Sequence, residues 1–589
     1  MNYATPSDRA RRLARASVVI CLGLGVTLSA PPVAAQRPTD AELTARVDTY
    51  LTRLESLGYR GGVLVVRNGR TLVQRSVGLA DAARGIRADT NTVYNIGSIT
   101  KQFTAAAILR LEELGKLRTT DSIGRFFPNA PADKRGITLH QLLTHTAGFA
   151  SDYSPTDYEP TTRDEYVRRM LAATLRSAPG TQFAYANSGY SLLAAIVEVV
   201  TGQEYEQALR ELVLTRAGMR ETGYKAPAWP AARIAHGYQN GRDWGTIVDR
   251  IGAPGAPYWA LRGNGGLHTT LDDMARWDAA LYDNRLFTDS SRTKFMTGYV
   301  NEGPLGLSQY AYGWAVMKTP RGTRLVTHNG GNGIYVAELL RFVDEHVTVF
   351  VTSTVSEQTA TPVANTLAKI AFGEPYELPP ARVAVSAAAL TAAEGTYRLA
   401  DSSKLVLRVR DGRLFAEAVG QQAFMLLASG DTISPKPVTA LNARARDIVA
   451  ALLAANVQPL MRALGPGGPD SAEVARQESQ LAASRRERFG VFRNFEVLGT
   501  APGPEGDLRT TVRLSYENGA ATNLYTWDRD GRIMDLGARP YEVVELVPTA
   551  SGEFQSLKAG GAPALRMRFV GGRAEAVTAR GVVGLRAGS

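Results

Sequence analysis

Strand-like segments flank a long helical stretch in this chain, and that arrangement limits the fold more than any other feature. Residues 62–66 and 71–77 read as a hairpin around Asn68-Gly69, a pair that readily takes the positive φ angles of a two-residue turn. The next strong strand signals lie at 325–328, 334–342 and 347–353, followed by a helical pattern over 357–372. Between the two groups the pattern is mixed, and a further helix is expected at 39–56. A sheet joining both groups must pair segments far apart in sequence, so the α+β class is expected.

Glu374-Pro375-Tyr376-Glu377-Leu378-Pro379-Pro380 marks a linker, because successive prolines continue neither a helix nor a central strand. Beyond it, short strands are expected at 395–398, 405–410 and 413–418, then helices at 441–464 and 470–489. Longer strands follow at 509–516 and 521–527, with turns at Asn518-Gly519 and Asp530-Gly531, and short strands resume near 542–546 and 565–570.

With 589 residues, 44% hydrophobic and 21% charged, the chain has room for several soluble domains. Its first residues read as a secretory signal over 1–35. Arg9, Arg11, Arg12 and Arg15 form a basic end, residues 17–30 an apolar run, and Val33-Ala34-Ala35 a small-residue cleavage site. The apolar run is too short to span a bilayer, so no stable membrane insertion is expected after cleavage. The single cysteine, Cys21, lies inside that segment, and the rest of the chain must be held by packing. A net charge of +11 comes with no basic run, which indicates a solvated surface and no nucleic-acid partner.

Ser98-Ile99-Thr100-Lys101 opens an apolar helix that carries Phe103, Ala107, Leu111 and Leu114 on one face. A serine and a lysine one turn apart point the same way, and a serine at a helix start keeps its own N–H free near the positive end of the dipole. Such a pair suits acyl transfer through a serine ester. Single motifs are weak, however. Ser291-Arg292-Thr293-Lys294 repeats the spacing, and Tyr-x-Asn occurs at Tyr185, Tyr238, Tyr282, Tyr299 and Tyr516. Order and context favour Ser98, then Tyr185-Ala186-Asn187 in a loop before an apolar helix, then His328-Asn329-Gly330-Gly331 at a strand. Lys134-Arg135-Gly136 comes in the wrong order, and Lys558-Ala559-Gly560 lies far past the linker. His140 and His145 read as structural, and six histidines without tight spacing give no metal site. Met274, Trp277 and Trp314 read as core.

Together these segments resemble the serine β-lactamase and penicillin-binding-protein superfamily over about residues 40–375, and within it the class C-like esterases, D-aminopeptidases and D-Ala-D-Ala carboxypeptidases. The stretches beginning at Val93, Ile137 and Gly263 support the likeness. The resemblance implies Ser98 as acylated nucleophile, Lys101 as its base and Tyr185 as proton shuttle. It implies that Asn187 orients Lys101 and the substrate amide, that His328, Gly330 and Gly331 line the substrate site, and that the N–H groups of Ser98 and Gly331 hold the oxyanion. It calls for no cofactor. Histidine at 328 departs from the lysine of most β-lactamases and transpeptidases. That change favours ester, amide or D-amino-acid peptide substrates, peptidoglycan-derived ones among them, over penicillins.

The expected organisation is a signal peptide at 1–35 and a β-lactamase-like domain at 36–375, an antiparallel sheet flanked by helices with a helical subdomain. Residues 376–437 and 541–589 resemble two halves of a small lipocalin-like β domain. Residues 438–540 resemble an inserted NTF2-like α+β domain. The function expected is that of a secreted serine hydrolase, periplasmic or extracellular. A true β-lactamase or D,D-carboxypeptidase, and a non-catalytic cell-wall-binding protein, stand as alternatives.

Overall fold

The computed structural model describes residues 37–154, 157–239, 242–252, 258–302, 306–355, 360–427, 435–465, 471–502, 507–528, 530–540, 543–556, 564–579 and 581–588. The expected signal segment 1–35 lies outside the described residues. Among those described, no helix is long and apolar enough to cross a membrane.

Thr39 caps the helix Asp40–Ser56: its hydroxyl accepts the Glu42 N–H at 3.2 Å, and the Glu42 carboxylate accepts the Thr39 N–H at 2.8 Å. Leu43, Val47, Tyr50 and Leu51 are buried at helical spacing, so they share one face. The hairpin that follows pairs Gly61–Arg67 with Arg70–Val77, and Asn68 and Gly69 both take positive φ at its tip.

That hairpin forms one edge of an eight-stranded antiparallel sheet. The order is Arg70–Val77, Gly61–Arg67, Val347–Ser353, Val336–Phe342, Arg324–Gly331, Ala315–Lys318, Ser308–Tyr310 and Val300–Asn301. Val65 stands opposite Val349, which is the long-range pairing expected of the α+β class. Alternation along the strands sends Val63, Val65, Val349 and Val351 to the back face, under Asp40–Ser56 and Ala360–Phe372. Leu64, Val66 and Phe350 face the front, where a larger helical core packs.

Thr100–Glu113, Leu139–Leu143, Asn187–Thr201 and Leu271–Ala280 contribute to that front core. Phe103 stacks on Trp277 at 4.3 Å, and Trp277 donates its indole N–H to the Gln102 side chain at 3.1 Å. Met274 and Trp314 are buried in the same cluster. A buried ion pair ties helix to sheet: Arg341 Nε donates to Asp278 Oδ1 at 2.7 Å, and the Thr348 hydroxyl donates to the same oxygen at 2.8 Å.

Past the linker, eight strands close into a β barrel in the order Gly395–Arg398, Lys404–Arg410, Arg413–Val419, Val544–Ala550, Glu553–Ser556, Leu565–Val570, Arg573–Ala579 and Val582–Arg586. The seam between early and late strands sets Leu414 against Leu546, and closure sets Tyr397 against Arg586. Between the third and fourth barrel strands the chain makes the helices Pro435–Leu453, Gln458–Leu464 and Ser471–Phe489, then a four-stranded antiparallel sheet from Phe492 to Pro540. This part has its own core around Leu441, Ile448, Val512 and Trp527. The single helix expected over 441–464 is two helices. Ala455 turns left-handed at φ 56°, and Pro459 sits in the first turn of the second.

Candidate active site

Ser98 lies in the short 3₁₀ turn Gly97–Ile99, and the α-helix proper begins at Thr100. The serine therefore precedes the helix that the sequence places it in. Asn95 fixes the turn, its side-chain oxygen accepting the Gly97 N–H at 3.0 Å and the Asn332 amide at 3.3 Å. The turn presses against the end of the strand Arg324–Gly331. A Cβ on Gly97 would lie 2.4 Å from the Gly331 nitrogen, and one on Gly330 would lie 2.0 Å from the Ile96 carbonyl oxygen and 3.0 Å from the Ser98 nitrogen. Two backbones can approach this closely only because both positions lack a side chain.

The sheet explains why this strand end is open. Its neighbour Ala315–Lys318 stops at Ala315, opposite Thr327, so, among the described residues, 328–331 have no strand partner on that side. On the other side, pairing runs on to Gly331 opposite Val336. The Ser98 turn rests against this strand end, with Gly97 against the Gly331 nitrogen and Gly330 against the Ser98 nitrogen.

Lys101 is fully buried, and three groups surround its Nζ: Ser98 Oγ at 3.0 Å, Asn187 Oδ1 at 2.8 Å and the Asn264 carbonyl at 2.8 Å. Asn264 is itself anchored to Ser191 Oγ and the Ala260 carbonyl. Burial pushes the Lys101 amine well below the usual lysine range, with Asp152 and Asp157 opposing the shift. A neutral amine has two N–H donors and one lone pair. The amine can donate to all three oxygens; in its neutral form, with Asn187 and Asn264 holding its two hydrogens, its lone pair is left to accept from the Ser98 hydroxyl.

Asn187 opens the helix Asn187–Thr201. Tyr185 sits in the loop before it, with its ring 4.8 Å from Lys101 Nζ and 38% of its surface exposed. Burial of the hydroxyl raises its pKa, and a hydrogen bond with Ser98 opposes this. Asp152 is held beside the same helix start, since Ser188 bonds the Ala150 and Ser151 carbonyls and the Tyr166 hydroxyl donates to Asp152 at 2.9 Å. Asp157 is pushed up to about 6 by burial, reinforced by Asp152.

His328 is only 6% exposed, and both ring nitrogens are engaged. Nδ1–H donates to the Asn329 carbonyl at 2.5 Å, and Nε2 accepts the Tyr310 hydroxyl at 3.0 Å. Burial lowers its pKa to about 4, with Lys101 adding to the effect, so the ring is neutral at pH 7. Gly330 is buried against the Ser98 turn, and Gly331 is exposed. The structure thus brings Ser98, Lys101, Tyr185, Asn187, His328, Gly330 and Gly331 together, with the His328 nitrogens bonded to protein groups. His145 also belongs to the cluster: its ring lies 4.2 Å from that of Tyr185.

The rival motif is an ordinary surface helix. Lys294 pairs with Glu112 at 2.7 Å, and the Ser291 N–H is taken by the Thr288 cap. Among the described residues, one cluster carries metal-ligand chemistry, namely Asp81, His236 and Asp243. There His236 already bonds Asp243 at 2.9 Å and Arg84 pairs with Asp81, on segments that do not carry Ser98. The Ser98 arrangement can deprotonate a serine, hold a carbonyl oxygen between two backbone N–H groups, and relay a proton through Tyr185.

The family model described as Beta-lactamase matches residues 47–371, more than half of the chain. The chain belongs to that family, and it is a serine hydrolase of the β-lactamase and penicillin-binding-protein superfamily. Penicillin-binding protein 4* of Bacillus subtilis (strain 168) is 28% identical over 408 residues, covering 65% of this chain and 89% of that protein. The D-alanyl-D-alanine-carboxypeptidase/endopeptidase AmpH of Escherichia coli (strain K12) is 25% identical over 350 residues, covering 55% and 88%. The octameric penicillin-binding protein homologue from Pyrococcus abyssi aligns in structure at a TM-score of 0.51 and 20% identity, over 82% of this chain and 98% of that one. That last likeness bears on the fold alone.

Proposed function

We propose that Ser98 is the nucleophile of an exported hydrolase acting on ester, amide or D-amino-acid peptide substrates. Lys101 takes its proton, Tyr185 passes it to the leaving group and later activates water, and Asn187 orients both Lys101 and the substrate amide. The Ser98 and Gly331 N–H groups hold the oxyanion, with Gly330 as the close contact that sets their spacing and His328 and Gly331 lining the substrate side. The observation that carries this reading is the Lys101 amine, with two acceptors on its hydrogens and Ser98 Oγ at 3.0 Å.

A neutral His328 offers no fixed cation to a penicillin carboxylate, which supports neutral acyl donors over β-lactams. Peptidoglycan-derived peptides ending in D-alanine are the second reading, supported by the likeness to the D-alanyl-D-alanine-carboxypeptidase/endopeptidase of Escherichia coli. The domain reading is part of the proposal: a signal peptide at 1–35, hydrolase at 36–375, a lipocalin-like domain at 376–437 and 541–589, and an NTF2-like insert at 438–540.

Purified protein should turn over p-nitrophenyl acetate and take a fluorophosphonate label on the peptide that contains Ser98. Ser98→Ala should lose both, at a cost of about 10⁶-fold in rate, whereas Ser291→Ala should keep them. Labelling and turnover that survive in Ser98→Ala sink the assignment. Comparing the ester with a D-alanyl-D-alanine peptide and a cephalosporin then ranks the substrate classes.

A further inference from the structure

Tyr185 must hold its hydroxyl against Ser98, yet it sits in a loop with no helix or strand of its own. A loop side chain keeps catalytic geometry only when something else fixes it. His145 is the residue placed to do so. Its carbonyl accepts the Ala184 N–H at 2.8 Å, and its Nδ1 accepts the Ala186 N–H at 3.1 Å. One residue thus grips the backbone immediately before and immediately after Tyr185. Its ring also packs beneath the tyrosine ring, 4.2 Å between centroids at an interplanar angle of 35°.

Several further facts argue that this is more than core packing. His145 takes a left-handed backbone, φ 57°, which is uncommon for histidine and costs free energy unless its surroundings enforce it. It is 2% exposed and lies among Tyr190, Tyr310 and Phe183. Its Nε2 is buried with no hydrogen-bond partner among the described residues, a cost that the Nδ1 bond to the Ala186 N–H must offset. With Nδ1 accepting, the ring is neutral, and burial together with Lys101 and His328 holds its pKa well below the usual histidine range.

We propose that His145 is a positioning residue for the hydrolase reaction, bracketing Tyr185 by its carbonyl and Nδ1 so that the tyrosine hydroxyl stays aligned with Ser98. The proposal rests on the reading of Ser98 and Tyr185 given above. Its contacts at the site are with the backbone on either side of Tyr185 and with the Tyr185 ring, and it acts through residue 185.

The test uses two variants that both suit a left-handed backbone. His145→Asn keeps a side-chain acceptor near the Nδ1 position and loses the ring, while His145→Gly loses both. Rates are counted per fluorophosphonate-titrated site, so that misfolded protein does not enter them. His145→Gly should lower kcat for p-nitrophenyl acetate about 100-fold with KM within about threefold, as expected when a catalytic group drifts by an ångström. His145→Asn should recover at least about tenfold of that loss. In a Tyr185→Phe background, His145→Gly should cost less than about threefold more, since its partner's hydroxyl is already gone.

Equal kcat per titrated site in the parent and both variants, whatever their melting temperatures, would make His145 a packing residue and end the proposal. So would a full additive loss in the Tyr185→Phe background. A Ser98→Ala protein that still takes the label would instead overturn the reading of the nucleophile, which separates the two failures.

Discussion

Gly330→Ala gives the sharpest test of how the site is assembled. An alanine Cβ there would sit 2.0 Å from the Ile96 carbonyl oxygen, whereas carbon and oxygen settle at about 3.3 Å or more. The strand end must therefore retreat from the Ser98 turn by about 1.3 Å. Oxyanion donors work at about 2.7–3.1 Å, and a retreat of that size takes one of the pair beyond hydrogen-bond range. Loss of one such donor costs about 10²–10³ in kcat, or about 2.7–4 kcal/mol of transition-state stabilisation. Overpacking should also lower stability by about 1–3 kcal/mol. Gly331→Ala is the internal comparison: its Cβ would meet nothing closer than Val336 Cγ1 at 3.7 Å, and its loss in kcat should stay under about tenfold. Steady-state ester kinetics and thermal melts on both variants decide the matter. A Gly330→Ala enzyme within about threefold of the parent in kcat would refute the reasoning.

Three further outcomes follow from the structure. His328 and His268 both titrate near 4 when folded, below their usual 6.5, chiefly through burial. Stability is then full above pH 6.5 and falls as pH drops from 6.5 towards 4, by about 3 kcal/mol per histidine; denaturant midpoints at pH 7.5 and 4.5 should show a smaller loss for His268→Asn. Asp278→Ala strands Arg341 as a buried unpaired charge and should cost about 3–5 kcal/mol, while replacing both by apolar residues should cost far less. Bridging out residues 438–538 with a short Gly/Ser linker should leave a soluble, active hydrolase, because Leu414 can still meet Leu546. Truncation after 438 leaves three of the eight barrel strands and should reduce solubility; equal solubility of the two proteins would count against the nested arrangement.

The hairpin at Asn68-Gly69, the strands on either side of His328 and the Ser98–Lys101 pair were legible because each rests on a local rule: turn chemistry, alternation, or one turn of helix. What lay beyond the sequence depends on contacts between distant segments. His145 reads as a core histidine in Thr144-His145-Thr146, and nothing local reveals that it bonds both neighbours of Tyr185. His328 reads as a group on the substrate side, and nothing local reveals that Tyr310 and the Asn329 carbonyl engage its nitrogens. The strand Phe492–Pro502 escapes pattern reading because its register shifts twice, between Phe492 and Asn494 and between Val497 and Gly499. The break at Ala455 follows from a left-handed residue with no glycine to announce it.

The long-range pairing of the sheet sets a timetable for synthesis. The serine and lysine leave the ribosome well before the strand that completes their cleft, by about 230 residues, or on the order of 10–50 s at ordinary elongation rates. Throughout that interval Gly61–Arg67, buried along its whole length in the finished sheet, has no Val347–Ser353 to pair with, and needs shielding from other nascent chains. The same delay bears on the proposed oxyanion pocket. The Ser98 turn can form early, but Gly330 and Gly331 are the last pieces of the site to be made, so no nascent chain shorter than 331 residues holds both N–H groups of the proposed oxyanion pocket.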